Sequence, residues 1–460
     1  MKRDAPIDSL EGVPRPDLIG GSIPRAIFRL AWPAVASTLM HASLNTTDAF
    51  WVGKLGPAAM AAVFASGFII WLIFSLSDMI SVGLTALVAR FFGAGNRSEA
   101  NEIARQGMAF GLLTACVLGG GGLIAAQPLL RLVGVELDVQ TIGAGYMRIA
   151  LAGIPIFFGL FLINSILSGA GDTQTPMRLT LTSIVLNMIL DPLLILGIGP
   201  FPRLEVNGAA LATVIAEAVA FAIGLALVIR GRSGIRLTYD SRFRLSPTTI
   251  WRVLRIGIPS SISWVTFSLV YVVITRIAAI FGTPAIAALG VGTRLESFSY
   301  MTAGGFSVAA ATLVGQNLGA SQPGRAERAT WTTASIIFGF TGVLALVFLL
   351  IPHRLVAVFN SDPTVIQIGA SYLRIIAIAQ ILQGTGQIMS GAFRGAGDTV
   401  PPMVFTTITA VLRIPTAYLL AVVLGLGVQG VWLTISFAMT ALGLLLIIWF
   451  KRGKWKEHKV

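Results

Sequence analysis

The sequence predicts an all-α polytopic membrane protein with twelve transmembrane helices in two pseudo-two-fold-related six-helix bundles. Composition is the first reason: the chain is 55% hydrophobic and only 12% charged, and its mean hydropathy is +0.83. Recurrent apolar runs of about 20 residues, enough to cross roughly 30 Å of hydrocarbon as a helix, are the second reason. The third is an internal repeat with one constant offset in residue number, here called the repeat offset, which carries Pro33 onto Pro259.

The apolar runs favour helices over barrel strands, because a helix satisfies its backbone polar groups within one segment. Each half of the chain carries six runs, and an even number gives both halves the same orientation about an axis along the membrane normal. The predicted spans are 27–52, 58–91, 103–126, 140–168, 175–198 and 207–229 in the first half, and 250–281, 285–315, 329–350, 364–392, 400–426 and 429–449 in the second.

The repeat rests on four separate places that align at the same offset. A duplicated membrane unit is typical of a transporter whose substrate path runs between the two copies. The aligned landmarks are Pro33 with Pro259, Gly56 with Gly282, Gly93-Ala94 with Gly319-Ala320, and the sequence Gly-Ala-Gly-Asp-Thr at 169–173 with the same sequence at 395–399.

The two Gly-Ala-Gly-Asp-Thr segments fall where one span ends and the next begins. They lack the Gly-Lys-Ser/Thr ending of a phosphate-binding loop. A turn in which Asp172 or Asp398 caps the following helix explains them better.

The net charge of +13 is distributed unevenly between the two sides of the membrane. With both termini in the cytoplasm, 23 Lys and Arg lie in inside segments and four lie in outside loops. This positive-inside pattern predicts the topology and argues against a nucleic-acid partner. The predicted parts are an N-terminal cytoplasmic tail at 1–26, a first lobe at 27–229, a cytoplasmic linker at 230–249, a second lobe at 250–449 and a basic cytoplasmic tail at 450–460.

Cysteine usage and motifs exclude several classes of protein. Cys116 is the single cysteine, so neither a disulfide framework nor a thiolate metal cluster is expected. We also expect no cofactor and no enzymatic activity, because the loops are short and hydrolase motifs such as His-Glu-x-x-His are missing. The first 20 residues carry no apolar signal sequence. Short tails and a preference for Arg over Lys indicate a multi-pass protein of a prokaryotic plasma (inner) membrane. We also expect a monomer.

Carboxyl groups inside the predicted spans are the strongest functional signal, because a charge at a helix centre costs about 2.5–3.5 kcal/mol on insertion scales. Asp48 follows Asn-Thr-Thr on the first span, and Asn187 and Asp191 share one face of the fifth. Two carboxyls with amide and hydroxyl oxygens can hold Na⁺ or share a proton. The five intramembrane acids are Asp48, Asp78, Asp191, Glu217 and Glu296.

The polar cluster of Asp48, Asn187 and Asp191 exists in one copy of the repeat. Their counterparts at the repeat offset are Ile274, Arg413 and Ala417. A requirement of the fold should recur, so this asymmetry favours a role in function. The alternative is a pair of buried carboxyls that satisfy local hydrogen bonds.

Further residues are candidates for gating or for lining a substrate cavity. Pro33 is a bending point in the first span, although its counterpart Pro259 argues that the bend partly serves the fold. Asp78, Glu217, Gln383 and Gln387 are candidate cavity residues. His41 on the first span can relay protons or remain a neutral, satisfied histidine.

The chain resembles the multidrug and toxic compound extrusion (MATE) family over nearly all of residues 20–450. The resemblance rests on the duplicated twelve-span layout, the sequence Asp-Ala-Phe-Trp-Val-Gly-Lys-Leu-Gly at 48–56, Val-Gly-Gln-Asn-Leu-Gly at 314–319, and both Gly-Ala-Gly-Asp-Thr turns.

The resemblance implies a cation site in the first lobe. Asp48, Asn187 and Asp191 match the site of the DinF-like branch, and they would be the metal ligands if the ion is Na⁺. Thr213 resembles a hydroxyl ligand of that site, and Tyr146 matches a nearby aromatic residue. The NorM-like branch carries acids on spans seven and ten, where this chain has none.

We therefore expect an antiporter that couples H⁺ or Na⁺ entry to the export of amphipathic, mostly cationic organic compounds. Two lobes in a lipid bilayer would alternate access to the cleft between them. The alternative is a flippase of lipid-linked oligosaccharides on the same scaffold, which would need a strongly cationic cavity. Intramembrane arginines are few and scattered in the sequence, which argues against it.

Overall fold

A computed structural model describes residues 18–133, 136–238 and 243–458. Parts of the predicted tails and linker lie outside these ranges, namely residues 1–17, 239–242, 459 and 460. The described residues contain fourteen α-helices and no β-strand. The predicted all-α class is confirmed.

The first lobe is built from seven helices, α1 to α7. Helices cover all six predicted spans of this half, and the fourth span is divided between α4 and α5. The helices are α1 Ile23–Gly53, α2 Pro57–Gly93, α3 Arg97–Val133, α4 Leu137–Ala152, α5 Ile154–Gly169, α6 Gln174–Leu196 and α7 Val206–Ile229.

The second lobe repeats this order, with one short additional helix, α11, and a π-helical turn at Leu419–Val423 after α13. The helices are α8 Pro247–Ala279, α9 Thr283–Gly319, α10 Pro323–Leu350, α11 Pro352–Ala357, α12 Pro363–Ala396, α13 Val400–Tyr418 and α14 Val428–Lys451.

Nine helices of the described chain are long and apolar enough to cross a membrane, and the bent pair α4 and α5 makes a tenth span. The remaining two of the twelve predicted spans are α1 and α9, which are 31 and 37 residues long. Their apolar stretches are interrupted by polar residues, such as His41 and Asp48 in α1 and Arg294 and Glu296 in α9. The polar side chains of these two helices must find partners inside the protein.

The fourth span bends by 47° between α4 and α5. Pro155 has no N–H to bond the carbonyl of Leu151, so the helical ladder is interrupted there. Gly119 of α3 lies against this carbonyl, and a Cβ at Gly119 would be 2.7 Å from the Leu151 oxygen. The bend is therefore packed tightly against the neighbouring helix.

The internal repeat is visible in matching close contacts within the two lobes. A Cβ on Gly169 would lie 2.9 Å from the carbonyl oxygen of Thr85, and one on Gly395 would lie 2.1 Å from that of Ala311. The repeat offset carries both members of the first pair onto the second. These glycines allow α5 to approach α2, and α12 to approach α9, at backbone distance.

The predicted helix cap forms at Asp172 and not at Asp398. Asp172 accepts hydrogen bonds from the Thr175 backbone N–H at 2.9 Å and from its hydroxyl at 2.6 Å. The residue that corresponds to Thr175 in the second copy is Pro401, which has neither donor. The capping prediction is therefore wrong for Asp398.

The linker and the C-terminal tail both pack on the helices. Gln106 of α3 donates to the Arg244 carbonyl at 2.8 Å and accepts from the Ser246 N–H at 2.9 Å. In the tail, buried Trp455 stacks on Phe450 with ring centroids 4.7 Å apart. A salt bridge of 2.7 Å joins Lys456 to Glu327.

Candidate functional site

A polar cluster lies among α1, α6 and α7 of the first lobe. Asn187 and Asp191 are one helical turn apart on α6, and Asn187 Nδ2 donates to Asp191 Oδ1 at 3.2 Å. The same amide donates to Thr213 Oγ1 on α7, also at 3.2 Å. The carboxyls of Asp48 on α1 and Asp191 act on each other, and both act electrostatically on Tyr146 of α4. All five residues predicted for the site are brought together.

The cluster contains more acceptor oxygens than the protein has donors for. Asn187 and Asp191 are fully buried. Three buried oxygens have no hydrogen-bond partner within the described residues: Asp48 Oδ1, Asn187 Oδ1 and Asp191 Oδ2. Unsatisfied buried oxygens beside two adjacent carboxyls are costly, and a proton or a small cation relieves that cost.

A cavity of about 570 Å³ opens onto this cluster and is here called the first-lobe cavity. Asp48, Tyr146, Thr213 and Glu217 line it. Its aromatic wall consists of Trp71, Phe74, Tyr146, Phe157 and Phe161. Acidic groups beside aromatic rings suit flat organic cations through charge pairing and cation–π contacts.

A second cavity of about 250 Å³, the inter-lobe cavity, adjoins the first and contains Asp78. His41, Phe161 and Asn164 line both cavities. Val308, Ala311 and Arg394 of the second lobe also line the inter-lobe cavity. It therefore extends the polar surface from the first lobe to the second.

A third cavity of about 160 Å³, the second-lobe cavity, contains the predicted pair Gln383 and Gln387. Arg394 and Arg413 also line it. The sequence interpretation of the intramembrane arginines as scattered is corrected here, because α12 and α13 bring these two into one cavity. A sequence signal existed: Arg413 is the counterpart of Asn187, so both copies carry a polar residue at this position.

Pro33 is buried in α1, and the helix continues through it from Ile23 to Gly53. Two residues later, Val35 meets α9 of the second lobe: a Cβ on Gly305 would lie 2.5 Å from the Val35 nitrogen. The proline therefore lies beside a close contact between the lobes. Any bending of α1 at Pro33 would move Asp48 relative to that contact.

The described residues contain no cluster of three or more His, Cys, Asp and Glu that could hold a metal ion. The polar cluster has two carboxylates, with an amide and a hydroxyl completing its set of oxygens. Such a set of oxygens is suited to a weakly held monovalent ion or a proton.

Comparisons with known proteins agree with this organisation. The family model described as MatE matches residues 33–193 and again 259–419. The starts of the two matches are separated by the repeat offset found in the sequence. The first match begins at Pro33 of α1 and ends just after the polar positions of α6. The second begins at Pro259 of α8 and ends just after the corresponding positions of α13.

Among the curated relatives, a probable multidrug resistance protein NorM of Thermotoga maritima is 30% identical over 95% of this chain and 94% of its own length. A probable multidrug resistance protein YoeA of Bacillus subtilis is 28% identical over 95% and 96%. A protein named FAD transporter, from Shewanella oneidensis, is 29% identical over 79% of this chain and 80% of its own.

Solved structures share the fold. A MATE crystal structure in the straight conformation superposes with a TM-score of 0.88 at 24% identity, covering 96% of this chain and 98% of that one. A structure titled as the outward-facing conformation of a multidrug resistance MATE family transporter also has a TM-score of 0.88, at 24% identity and the same coverage.

Proposed function

Because this chain belongs to the MatE family of multidrug efflux transporters, we propose that it is an antiporter driven by cation entry at Asp48, Asn187 and Asp191. The single observation that carries the proposal is the group of three buried, unpartnered oxygens in this cluster of the described chain. A buried site of this kind differs strongly in energy between its empty and its occupied form.

Occupancy of the site is the event that biases the two conformations of the transporter. A ligand shifts such an equilibrium only when it binds the two states with different affinity. Neutralisation of Asp48 and Asp191 removes the repulsion between them and allows α1 to pack more closely on α6. Both H⁺ and Na⁺ satisfy this requirement.

The transport step is an exchange of contacts between the lobes. The lobes meet at the C-terminal ends of α2 and α9, which are cytoplasmic in the orientation predicted from the charges. This arrangement corresponds to a state that is closed toward the cytoplasm. Bending of α1 near Pro33 would connect the cation site to the α1–α9 contact and so to the rocking of the lobes.

The first-lobe cavity is proposed to receive amphipathic organic cations. Asp48 and Glu217 supply negative charge, and the aromatic wall supplies stacking surface. A substrate cation and the coupling cation would then compete for the same carboxylates. Competition of this kind links the release of the substrate cation to the binding of the coupling cation.

We further propose that the protein acts as a monomer in a prokaryotic inner membrane, with both termini in the cytoplasm. Support comes from the positive-inside distribution of Lys and Arg. The C-terminal tail is consistent with this orientation. Its Lys456 pairs with Glu327, which lies near the start of α10 at the end of the second lobe that is predicted to be cytoplasmic.

A lipid-linked oligosaccharide flippase is the second candidate function. The observation in its favour is that Arg394 and Arg413 line one cavity. That cavity is about 160 Å³, too small for a saccharide attached to a pyrophosphate. Flipping of a fluorescent oligosaccharide lipid in reconstituted vesicles, without dye export, would favour the flippase.

The test is dye export from vesicles under an imposed pH gradient or an imposed Na⁺ gradient. Wild type should move a cationic dye uphill under at least one gradient. Asp48→Asn and Asp191→Asn should lose uphill transport, because each removes one charge of the site, while downhill leakage remains. Asp138→Asn, which changes an exposed carboxyl on α4, is the matched control. Uphill transport by Asp48→Asn under both gradients contradicts the coupling proposal.

A further inference from the structure

The second-lobe cavity has the opposite polarity to the first-lobe cavity. Among the described residues that line it there is no Asp or Glu, whereas Arg394 and Arg413 both do so. The remaining polar lining consists of amides and hydroxyls, including Gln383, Gln387 and Ser263. Every ionised group on this described surface is therefore a cation.

Arg413 is a buried guanidinium with unused donors. Its side chain is 7% exposed, and its Nε has no hydrogen-bond partner in the described chain. Phe267 lies beneath it, with the ring centroid 5.6 Å from the guanidinium carbon. An arginine presents five N–H donors in a planar fork, so stacking on one face leaves its edge available to a planar acid.

Arg394 supplies a second guanidinium from α12. Its Nη2 donates to Ser307 Oγ at 2.8 Å, and its buried Nε has no partner among the described residues. It lines the second-lobe cavity and the inter-lobe cavity. Two arginines with free donors at one cavity are the side-chain chemistry that binds a carboxylate or phosphate in bidentate fashion.

The acids that act electrostatically on the two arginines are not among the described residues that line the second-lobe cavity. Glu296 acts electrostatically on Arg413 and is held by the Tyr372 hydroxyl at 2.8 Å. Asp78 of the first lobe acts on Arg394 from the inter-lobe cavity. These acids reduce the cost of burying the two cations, yet they leave unpartnered N–H groups that a ligand can use.

Aromatic side chains complete the second-lobe cavity. Trp264, Phe267 and Tyr300 line it, and the rings of Trp264 and Tyr300 meet edge to face with centroids 6.3 Å apart. A volume of about 160 Å³ resembles that of a cavity that holds a single benzene ring. The cavity thus offers space for one aromatic ring together with donors for its anionic substituent.

We propose that the second-lobe cavity binds the carboxylate- or phosphate-bearing aromatic group of an anionic substrate, with Arg413 and Arg394 as its anion ligands. This proposal rests on the proposed transport function and extends its substrates to aromatic anions. The lobes then differ in specificity, the first for organic cations and the second for aromatic anions. A molecule that carries both charges could contact both lobes.

The test combines binding and export in purified protein. Carboxyfluorescein carries a carboxyphenyl ring, which is the part of the dye that the cavity can hold. Its binding, followed by fluorescence anisotropy in neutral-lipid nanodiscs, should weaken at least tenfold in Arg413→Gln and recover partly in Arg413→Lys. Arg374→Gln removes an exposed arginine of α12 outside the cavity and is the matched control. Vesicle export of the anionic dye should fall in Arg413→Gln, while export of a cationic dye persists.

The outcomes separate this proposal from the proposed function. If the wild type exports neither the cationic nor the anionic dye, the transport proposal is contradicted. Dye binding that depends on Arg413 would still support the anion site in that case. Circular dichroism checks that the Arg413→Gln variant is folded. If the folded variant binds the anionic dye as tightly as the wild type, the anion site is overturned. Displacement of the dye by phenyl phosphate identifies a soluble aromatic anion, whereas displacement by phosphatidylglycerol alone identifies a lipid headgroup and overturns the assignment to an aromatic substrate.

Discussion

Ala89 and Gly315 are counterparts at the repeat offset, and they contact each other across the two lobes. A Cβ on Gly315 would lie 2.7 Å from the Cβ of Ala89. Two equivalent positions can touch only close to the symmetry axis that exchanges them. The pseudo-two-fold axis therefore passes between α2 and α9 near their C-terminal ends.

Two further contacts are exchanged by the same axis. A Cβ on Gly93 would lie 2.0 Å from the carbonyl oxygen of Gln316, and one on Gly319 would lie 1.9 Å from that of Arg90. The repeat offset carries Gly93 onto Gly319 and Arg90 onto Gln316. The two lobes thus approach each other through the same pair of glycines, used reciprocally.

Gly93→Ala and Gly319→Ala are therefore expected to separate the lobes at this end, and to do so to a similar extent. A methyl group at either position overlaps a backbone carbonyl that cannot rotate away. Spin labels on the exposed counterparts Ser98→Cys and Gly324→Cys, in a Cys116→Ser background, measure the separation by pulsed electron paramagnetic resonance. Both glycine variants should shift the distance distribution to larger values.

Gly339→Ala is the control for this prediction, because a Cβ there meets no atom within 4 Å. Its distance distribution should match that of the wild type. An unchanged distribution in both Gly93→Ala and Gly319→Ala would show that these glycines do not set the approach of the lobes.

The threonine of each Gly-Ala-Gly-Asp-Thr turn bonds to the proline-containing helix of its own lobe. Thr173 donates to the carbonyl of Arg29 at 3.5 Å, and Thr399 donates to the carbonyl of Ile256 at 2.6 Å. The Arg29 carbonyl is the one that loses its helical partner because Pro33 has no N–H. Each turn therefore supplies a donor near the carbonyls that its proline disturbs.

Thr173→Val should destabilise the folded protein by about 0.5–1.5 kcal/mol, because it removes the hydrogen bond to the Arg29 carbonyl at nearly constant side-chain volume. In Pro33→Ala the restored N–H can bond the same carbonyl. The combined variant should then lose less stability than the sum of the two single changes. Unfolding midpoints in detergent measure all three, with Thr141→Val at an exposed position as the control. Strict additivity would contradict this coupling.

The repeat made much of the fold predictable. The length of the apolar runs predicted the helices, and the recurring landmarks predicted the repeat. The carboxyl groups inside the spans predicted the cluster of Asp48, Asn187 and Asp191. The second-lobe cavity could not be predicted from the sequence, because Arg394 and Arg413 lie on different helices and their meeting depends on how α12 and α13 pack. A pattern of polar residues shows which helices face the protein interior, but not which side chains share a cavity.

The sequence interpretation also missed a difference between the two copies at one residue after the turn, which is Thr175 in the first copy and Pro401 in the second. Identical turns at 169–173 and 395–399 predicted identical caps, yet the donors belong to the residue two positions after each turn. Thr175 and Pro401 differ in the two atoms that a cap requires. Local chemistry beyond a motif therefore decides whether the motif acts in the same way twice.

Asp172→Ala should destabilise the protein by about 1 kcal/mol, the typical value of a helix cap. Asp172 also accepts a hydrogen bond from Ser233 at 2.5 Å, so the same change loosens the linker. Asp398→Ala should have a smaller effect, because it makes no equivalent bond to the following helix in the described chain. Thermal unfolding of the two variants side by side tests the difference, and an equal loss in both would show that the cap contributes nothing.

Asp398 should also give the protein a pH-dependent stability. Burial raises the pKa of Asp398 above its usual value of 3.8, and the positive charge of nearby His458 acts in the opposite direction. The folded state then keeps the proton over a range in which the unfolded chain has lost it, so the free energy of unfolding falls as the pH rises from the usual to the raised pKa. Asp398→Asn cannot titrate and should flatten the profile of unfolding midpoint against pH in this interval.

His458→Gln is the second variant for this pH dependence, since it removes the charge that favours the ionised form of Asp398. The pKa of the carboxyl should then rise further, which extends the fall in stability to higher pH. The same unfolding midpoints, recorded across the pH range for wild type and both variants, measure this shift. If Asp398 causes the pH dependence, removing its titrating carboxyl must change the profile. Parallel profiles for wild type and Asp398→Asn would therefore contradict the assignment.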